Sequence, residues 1–307
     1  MKRSCLLAVL ALAASTGVFA QEAPRGELGM RYWLSTGENK HSHNAQVLEP
    51  SAGNPTSVLT YENLDAHVFE AYARLRFGGN WFLKGNAGLG RINTGLFDDE
   101  DYFAGQVKFL DTTSSVREGR LSYFTIDLGR YEWSLQGGRT TFGAFVGFNQ
   151  WTEDVDAYGI RTTVDLLGIG GDEPDSLLVI SNKARWRSLR LGLAADVALA
   201  SKTRLEIDLA FIPYAKLHNE DSHHLRADLG AVPNIIHEGK GRGVQFDAEL
   251  RHAVYRRTEL GVGYRYWYVK ATEGTRHLPN RPDVPDLPLV EFYSKRAGLT
   301  LSLTHNW

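Results

Sequence analysis

Two short motifs carry residue types from which a hydrolytic site can be built: Asp99-Glu100-Asp101 and Asp221-Ser222-His223. In a β-strand, residues i and i+2 project from one face, about 7 Å apart. The first motif then presents two carboxylates together, and the second a carboxylate beside an imidazole. A carboxylate that orients an imidazole and stabilises its charged form makes a general base. Two close carboxylates cannot both ionise easily, so one tends to keep a proton. Facing each other, the two motifs would hold and deprotonate a water, with no Ser or Cys nucleophile. Solvated loops are also rich in such residues. His218, Glu220, Asp221, His223 and His224 offer ligand types for a metal, as do His41 and His43, but without fixed zinc spacing. Spacing alone leaves three readings open: Asp99, Asp101, Asp221 and His223 as catalytic groups with no metal and no cofactor, solvated loop charge, or a divalent-metal site.

The elements that must position these groups read as strands. Leu191, Leu193, Ala195, Val197 and Leu199 share one face, opposite Gly192, Ala194 and Asp196. Leu205, Ile207, Leu209 and Phe211 alternate with Glu206, Asp208 and Ala210; Val244, Phe246, Ala248 and Leu250 alternate with Gln245, Asp247, Glu249 and Arg251. A face with several charges in a row cannot meet lipid, so it is expected to line a polar lumen. Short turns fall near 78–80, 136–138, 201–203 and 255–258, and long polar segments near 38–57, 97–118, 153–184, 214–242 and 271–290. Four short turns and five long connections predict ten antiparallel strands, an all-β transmembrane barrel with both ends on the short-turn side. Bacterial barrels keep short turns in the periplasm and long loops outside. Both motifs follow strands that run toward the long-loop end, the third and the seventh of ten.

The ends and the composition agree. Lys2 and Arg3, the apolar run Cys5–Ala14 and Val18-Phe19-Ala20 read as a signal peptide over 1–20. Its removal leaves 287 of 307 residues, enough for a single barrel domain over 21–307, and shifts the formal net charge from −2 to about −4. The only cysteine is Cys5, so the mature chain has no disulfide and no thiol nucleophile. No basic stripe dominates, which argues against nucleic acid as a partner. The chain closes on Leu299, Leu301, Leu303 and Trp307, all of one parity, as the last strand of an outer-membrane barrel would.

The order of these pieces resembles the omptins, outer-membrane proteases of Gram-negative bacteria. Leu34-Ser35-Thr36-Gly37 is similar to the family's early segment, and Leu59-Thr60-Tyr61 to its second strand. Phe97-Asp98-Asp99-Glu100-Asp101-Tyr102 is similar to its acidic pair, and Glu220-Asp221-Ser222-His223-His224 to its Asp–His motif. The resemblance implies that Asp221 orients His223, that His223 is the base on water, and that Asp99, with Asp101 beside it, shares that water from the opposite wall. It also implies an endopeptidase acting on extracellular proteins or peptides, often between basic residues, with lipopolysaccharide as an activating partner. Two departures stand out. The acidic residues of the family's specificity pocket correspond here to Lys40 or His41 and to Asn219, and only Tyr123 matches its lipopolysaccharide contacts. Arg185, Arg187 and Arg190 are further candidates for lipopolysaccharide phosphates, or simply strand-end charges. Two other classes stay open: a non-enzymatic barrel for adhesion or surface binding, and a metal-dependent lipid-modifying barrel.

Overall fold

A computed structural model describes residues 25–307; the expected signal peptide lies outside the described residues. Ten antiparallel strands close into one barrel, each paired with its chain neighbours and the last with the first. They are β1 Gly26–His43, β2 Ser57–Phe77, β3 Trp81–Phe103, β4 Val107–Leu135, β5 Thr140–Asp165, β6 Glu173–Ala200, β7 Thr203–His223, β8 Ile235–Tyr255, β9 Thr258–His277 and β10 Leu287–Asn306. This is the ten-stranded outer-membrane type of barrel expected from the alternation. No described helix is long and apolar enough to cross a membrane.

The segments that read as long loops are largely strand. Between Phe97 and Glu118 only Ala104-Gly105-Gln106 leave the sheet, where Ala104 (φ 49°) and Gly105 (φ 69°) turn the chain back. β5 and β6 likewise shorten their connection to residues 166–172. The polarity has a different origin: above the apolar belt the outer face carries charge, such as Lys183, Arg185 and Arg187 on β6, while the inner face stays buried. Polar outer residues at every second position imitate a loop composition without ending the strand.

The belt itself is formed by outward apolar side chains such as Leu28, Met30 and Leu34 on β1, Phe124, Ile126 and Leu128 on β4, Leu189, Leu191 and Leu193 on β6, and Leu299, Leu301 and Leu303 on β10, each set exposed on one parity. Such an outward apolar surface suits hydrocarbon. Inside it the lumen is filled, not open. Arg251 and Glu27 pair at 2.9 Å, Arg251 and Glu206 at 3.0 Å, and Arg74 and Glu206 at 2.9 Å. Above this ionic plug Trp33, Tyr123 and Trp151 surround Trp267, with ring centres 4.8–5.7 Å from it.

Four strands change parity as they leave the belt. On β7, Glu206, Ala210 and Ile212 point inward; the ladder with β8 then skips from Ile212 to Ala215, and Ala215, Leu217, Asn219 and Asp221 point inward instead. The skipped pair includes Pro213, which has no N–H to give to a ladder and so sits naturally at a bulge. β3 does the same: Phe82 and Ile92 face inward below, Phe97 above, and its ladder with β2 skips Asn93. There a Cβ on Gly95 would lie 2.7 Å from Leu64 and 3.2 Å from Val116, which makes glycine the residue that fits. β2 switches at Asn63 (φ 52°) and β4 at 116–118. Without the bulges on β3 and β7, both acidic motifs would face out of the barrel.

Candidate functional site

All four predicted site residues lie above the belt, on the inner side of the strand ends opposite the short turns. Asp221, on β7, is 1% exposed, and its Oδ2 is 3.2 Å from Nε2 of His223. His223 is 16% exposed, so its ring reaches from a buried carboxylate to open space at the mouth. Its backbone N–H donates to Oδ1 of Asn234 at 2.9 Å, and Nδ2 of Asn234 donates back to its carbonyl at 3.0 Å, which fixes the strand end. Across the lumen, Asp99 on β3 accepts from the Ser57 hydroxyl at 3.3 Å, with Asp101 two residues on. The intervening Glu100 faces outward and pairs with Lys108, as the alternation requires.

Charge couples the two walls. Burial raises the Asp99 carboxyl to about 7, with Asp101 and Asp221 adding to the rise and His223 opposing it. Burial also raises Asp101. Burial works against an ionised Asp221, yet His223 and His41 together outweigh it and hold the carboxyl well below the usual range. His223 is raised in return: burial disfavours its charge, and Asp221 more than compensates. The site thus pairs one firmly ionised carboxylate with a basic imidazole, facing Asp99, which keeps its proton to about 7, and Asp101, which is raised as well.

Beneath this dyad lies a second group of side chains that the motifs did not reveal. His41 is 2% exposed, and its Nε2 is 3.6 Å from Oδ2 of Asp221. Its ring stacks on Phe292 (5.3 Å, 12°) and lies 4.7 Å from the ring of His237. His237 is buried and bonded through Nδ1 to the Asn219 amide at 2.9 Å. His41, Asp221 and His237 each offer a ligand atom within 4.8 Å of the others. His43, also on the inner face, has its imidazole pushed down to about 3 by burial and by the neighbouring Arg276 and His41. His237 is depressed as well, first by burial and then by His41. The parity of His41-Ser42-His43 on a paired strand was the signal available; His237 had none, since it comes from β8.

Other candidates separate by the same alternation. His218 and His224 leave the site: His218 faces outward to Glu238 at 3.3 Å and Glu220 at 3.5 Å, and His224 bonds Ser181 at 3.0 Å. Lys40 is on the outward parity, so His41 and Asn219 line the pocket. Tyr123 cannot touch lipid, because it is buried in the lumen and donates to Glu70 at 2.6 Å. Arg190 also turns inward, 3.5 Å from Asp127, and leaves the outer-rim set. Arg185 and Arg187 remain outside, opposite His218 and Lys216 on β7.

No protein-family model and no curated protein sequence matches the chain. Among solved structures it is similar to the outer membrane protease OmpT from Escherichia coli, with TM-score 0.73 and 12% identity over 92% of this chain and 96% of that one. It is more distantly similar to the translocator domain of the autotransporter NalP from Neisseria meningitidis, with TM-score 0.39 and 6% identity over 95% of this chain and 91% of that one. At this level of identity the first likeness establishes the shared barrel fold, and the second adds nothing to it.

Proposed function

We propose that the chain is an omptin-like endopeptidase of a Gram-negative outer membrane, with its long-connection end and its site facing outside. The observation that carries this reading is the buried Asp221 carboxylate, 3.2 Å from His223, set across a lumen mouth from Asp99 and Asp101. Asp221 holds Nε2 of His223, leaving Nδ1 to take a proton from water. The ionised member of the Asp99/Asp101 pair keeps that water in place, and the proton on the pair is available to the carbonyl oxygen or the leaving amine. The filled lumen below suits a site that works only at its mouth. His41 and Asn219 stand where the resembled family places acidic residues, and Arg276 lies within charge range of Asp221 and Asp99. Peptides with neutral or acidic side chains at the cleaved bond are therefore better substrates than those with basic ones. The outward set Arg185, Arg187, Lys216 and His218 is suited to lipopolysaccharide phosphates. The test is a peptide-library digest by the refolded protein with and without lipopolysaccharide, beside His223→Ala. Cleavage that needs both His223 and lipopolysaccharide supports the reading. No cleavage by a correctly folded, heat-modifiable barrel overturns it in favour of a binding role.

A further inference from the structure

In the hydrolytic reading Asp221 only holds His223, His41 only lines the pocket and His237 has no part; taken together, the three have a chemistry of their own. Each of the three is at least 98% buried, yet neither ring nitrogen of His41 has a hydrogen-bond partner, nor has Oδ1 of Asp221. An imidazole buried without a hydrogen bond, with only its Nε2 facing the Asp221 carboxylate at 3.6 Å, loses hydration that this single contact does not replace. Two imidazoles and one carboxylate form a donor set that suits zinc-like divalent ions, whereas calcium and magnesium prefer oxygen alone.

The geometry is close to what such an ion needs. With metal–ligand bonds of about 2.0–2.1 Å, tetrahedral ligands lie about 3.4 Å from one another. His41 Nε2 and Asp221 Oδ2 are already 3.6 Å apart, and all three donors fall within 4.8 Å. The separations exceed the tetrahedral spacing of about 3.4 Å by at most about 1.4 Å, which a turn of the His237 ring can close. Asn219 supplies the outer support. Its Oδ1 has no partner, and turning the amide over lets that oxygen accept from Nδ1–H of His237, which frees Nε2 as a ligand. The stacking of His41 on Phe292 fixes the orientation of the other ring. A fourth position is left for water.

We infer that His41, Asp221 and His237 form a binding site for one divalent transition-metal ion of the zinc type, with Asn219 positioning His237. The ion and His223 draw on the same oxygen, Oδ2 of Asp221, so occupation of this site and the hydrolytic dyad are linked.

The probe is Co²⁺ alone, added to the full mature protein refolded in detergent and stripped with chelator, with visible d–d absorption as the readout. One equivalent of Co²⁺ should give a tetrahedral spectrum that Zn²⁺ displaces. His41→Asn and His237→Asn should each lose that spectrum, and Asn219→Ala should weaken binding by about 10–100-fold. His218→Asn, at the outward His218–Glu220–Glu238 cluster, should leave it unchanged. Heat-modifiable mobility establishes that each variant is folded, and Zn²⁺ should raise the unfolding temperature of the parent but not of His237→Asn. Co²⁺ binding that survives His41→Asn, or that disappears with His218→Asn, overturns the inference. Neither readout requires peptide cleavage, so failure of the metal site and failure of the peptidase reading show up separately.

Discussion

The lumen buries charge at two levels and treats it in opposite ways. In the lower plug Glu27 accepts from Arg74, Arg204 and Arg251, and Glu206 is held by Arg74, Arg204 and Arg251. Every charged side chain there has an opposite partner, and several have two or three. At the mouth, His41, Tyr61 and Asn182 are just as buried, yet none of their side-chain polar atoms has a hydrogen-bond partner. A collar of aromatic rings around Trp267 separates the two levels. Burial alone therefore does not mark function here. Paired charge fills and stiffens the barrel, with single atoms such as Arg74 Nε and Arg190 Nε left without a hydrogen bond, whereas at the mouth His41, Tyr61 and Asn182 go wholly without one, where a substrate or an ion would complete them.

The sharpest break in this comparison comes from the mouth. Replacing His223 by Ala, or Asp221 by Asn, should lower peptide hydrolysis by about 10²–10⁴-fold, the range expected on losing a general base. The folded, heat-modifiable form should persist. If unfolding were the main result, the dyad would belong with the plug as a structural pair. The plug should behave the other way round. Glu27→Gln leaves Arg251 and Arg204 short of a buried counter-charge, which costs about 3–5 kcal/mol when a buried pair is broken. Urea unfolding in detergent should register that loss, while kcat/KM of the protein that remains folded stays near the parent value.

How much of this was legible from residues differs between the levels. The belt and the plug follow from strict alternation, and Glu206, Glu249 and Arg251 point inward as their parity requires. The mouth does not follow from the same count. Extending the parity of Phe211 through β7 would place Asp221 outside, and only the bulge at Pro213-Tyr214 turns it in. A proline inside an otherwise regular strand is a visible cue to such a bulge, although its consequence for parity depends on how the neighbouring strand pairs. The chance gathering of ligand types at 218–224 was misleading for the same reason: His218 and Glu220 lie on the outer face, and Asp221 on the inner. His237 lay beyond sequence reasoning altogether, since only closure of the barrel brings β8 beside His41.

A smaller effect distinguishes the mouth by pH. In the unfolded chain Asp99 releases its proton near the ordinary 3.8, whereas in the fold it keeps it to about 7. Between these values the folded state binds the extra proton, so this residue's contribution to stability falls as pH rises from about 4 to 7 and is flat above. Asp99→Asn should remove that decline and unfold at a higher temperature than the parent at pH 8. Each kcal/mol recovered corresponds to roughly 2–4 °C for a chain of this size class. Hydrolysis should fall in the same variant, because the proton-sharing pair is lost. A parent barrel whose unfolding temperature does not change between pH 4 and 7, while that of Asp99→Asn is the same, would show that Asp99 is solvated like an ordinary loop acid.

The smallest expected change tests whether the unpaired groups at the mouth are unpaired in fact. The Tyr61 hydroxyl is buried without a partner, and burial raises its pKa well above the usual value, with Asp221 and Asp99 adding to the rise. Its ring packs on Phe97 at 4.5 Å, so Phe in its place keeps the packing and removes only the oxygen. An unpaired buried hydroxyl costs stability, hence Tyr61→Phe should be neutral or stabilising by up to about 1–2 kcal/mol. A hydroxyl tied into a network like that of the plug would give the opposite sign, because its deletion would strand a partner. Urea unfolding of this variant therefore asks the same question as Glu27→Gln and expects the reverse answer: one removes an atom the fold depends on, the other an atom the fold has left free.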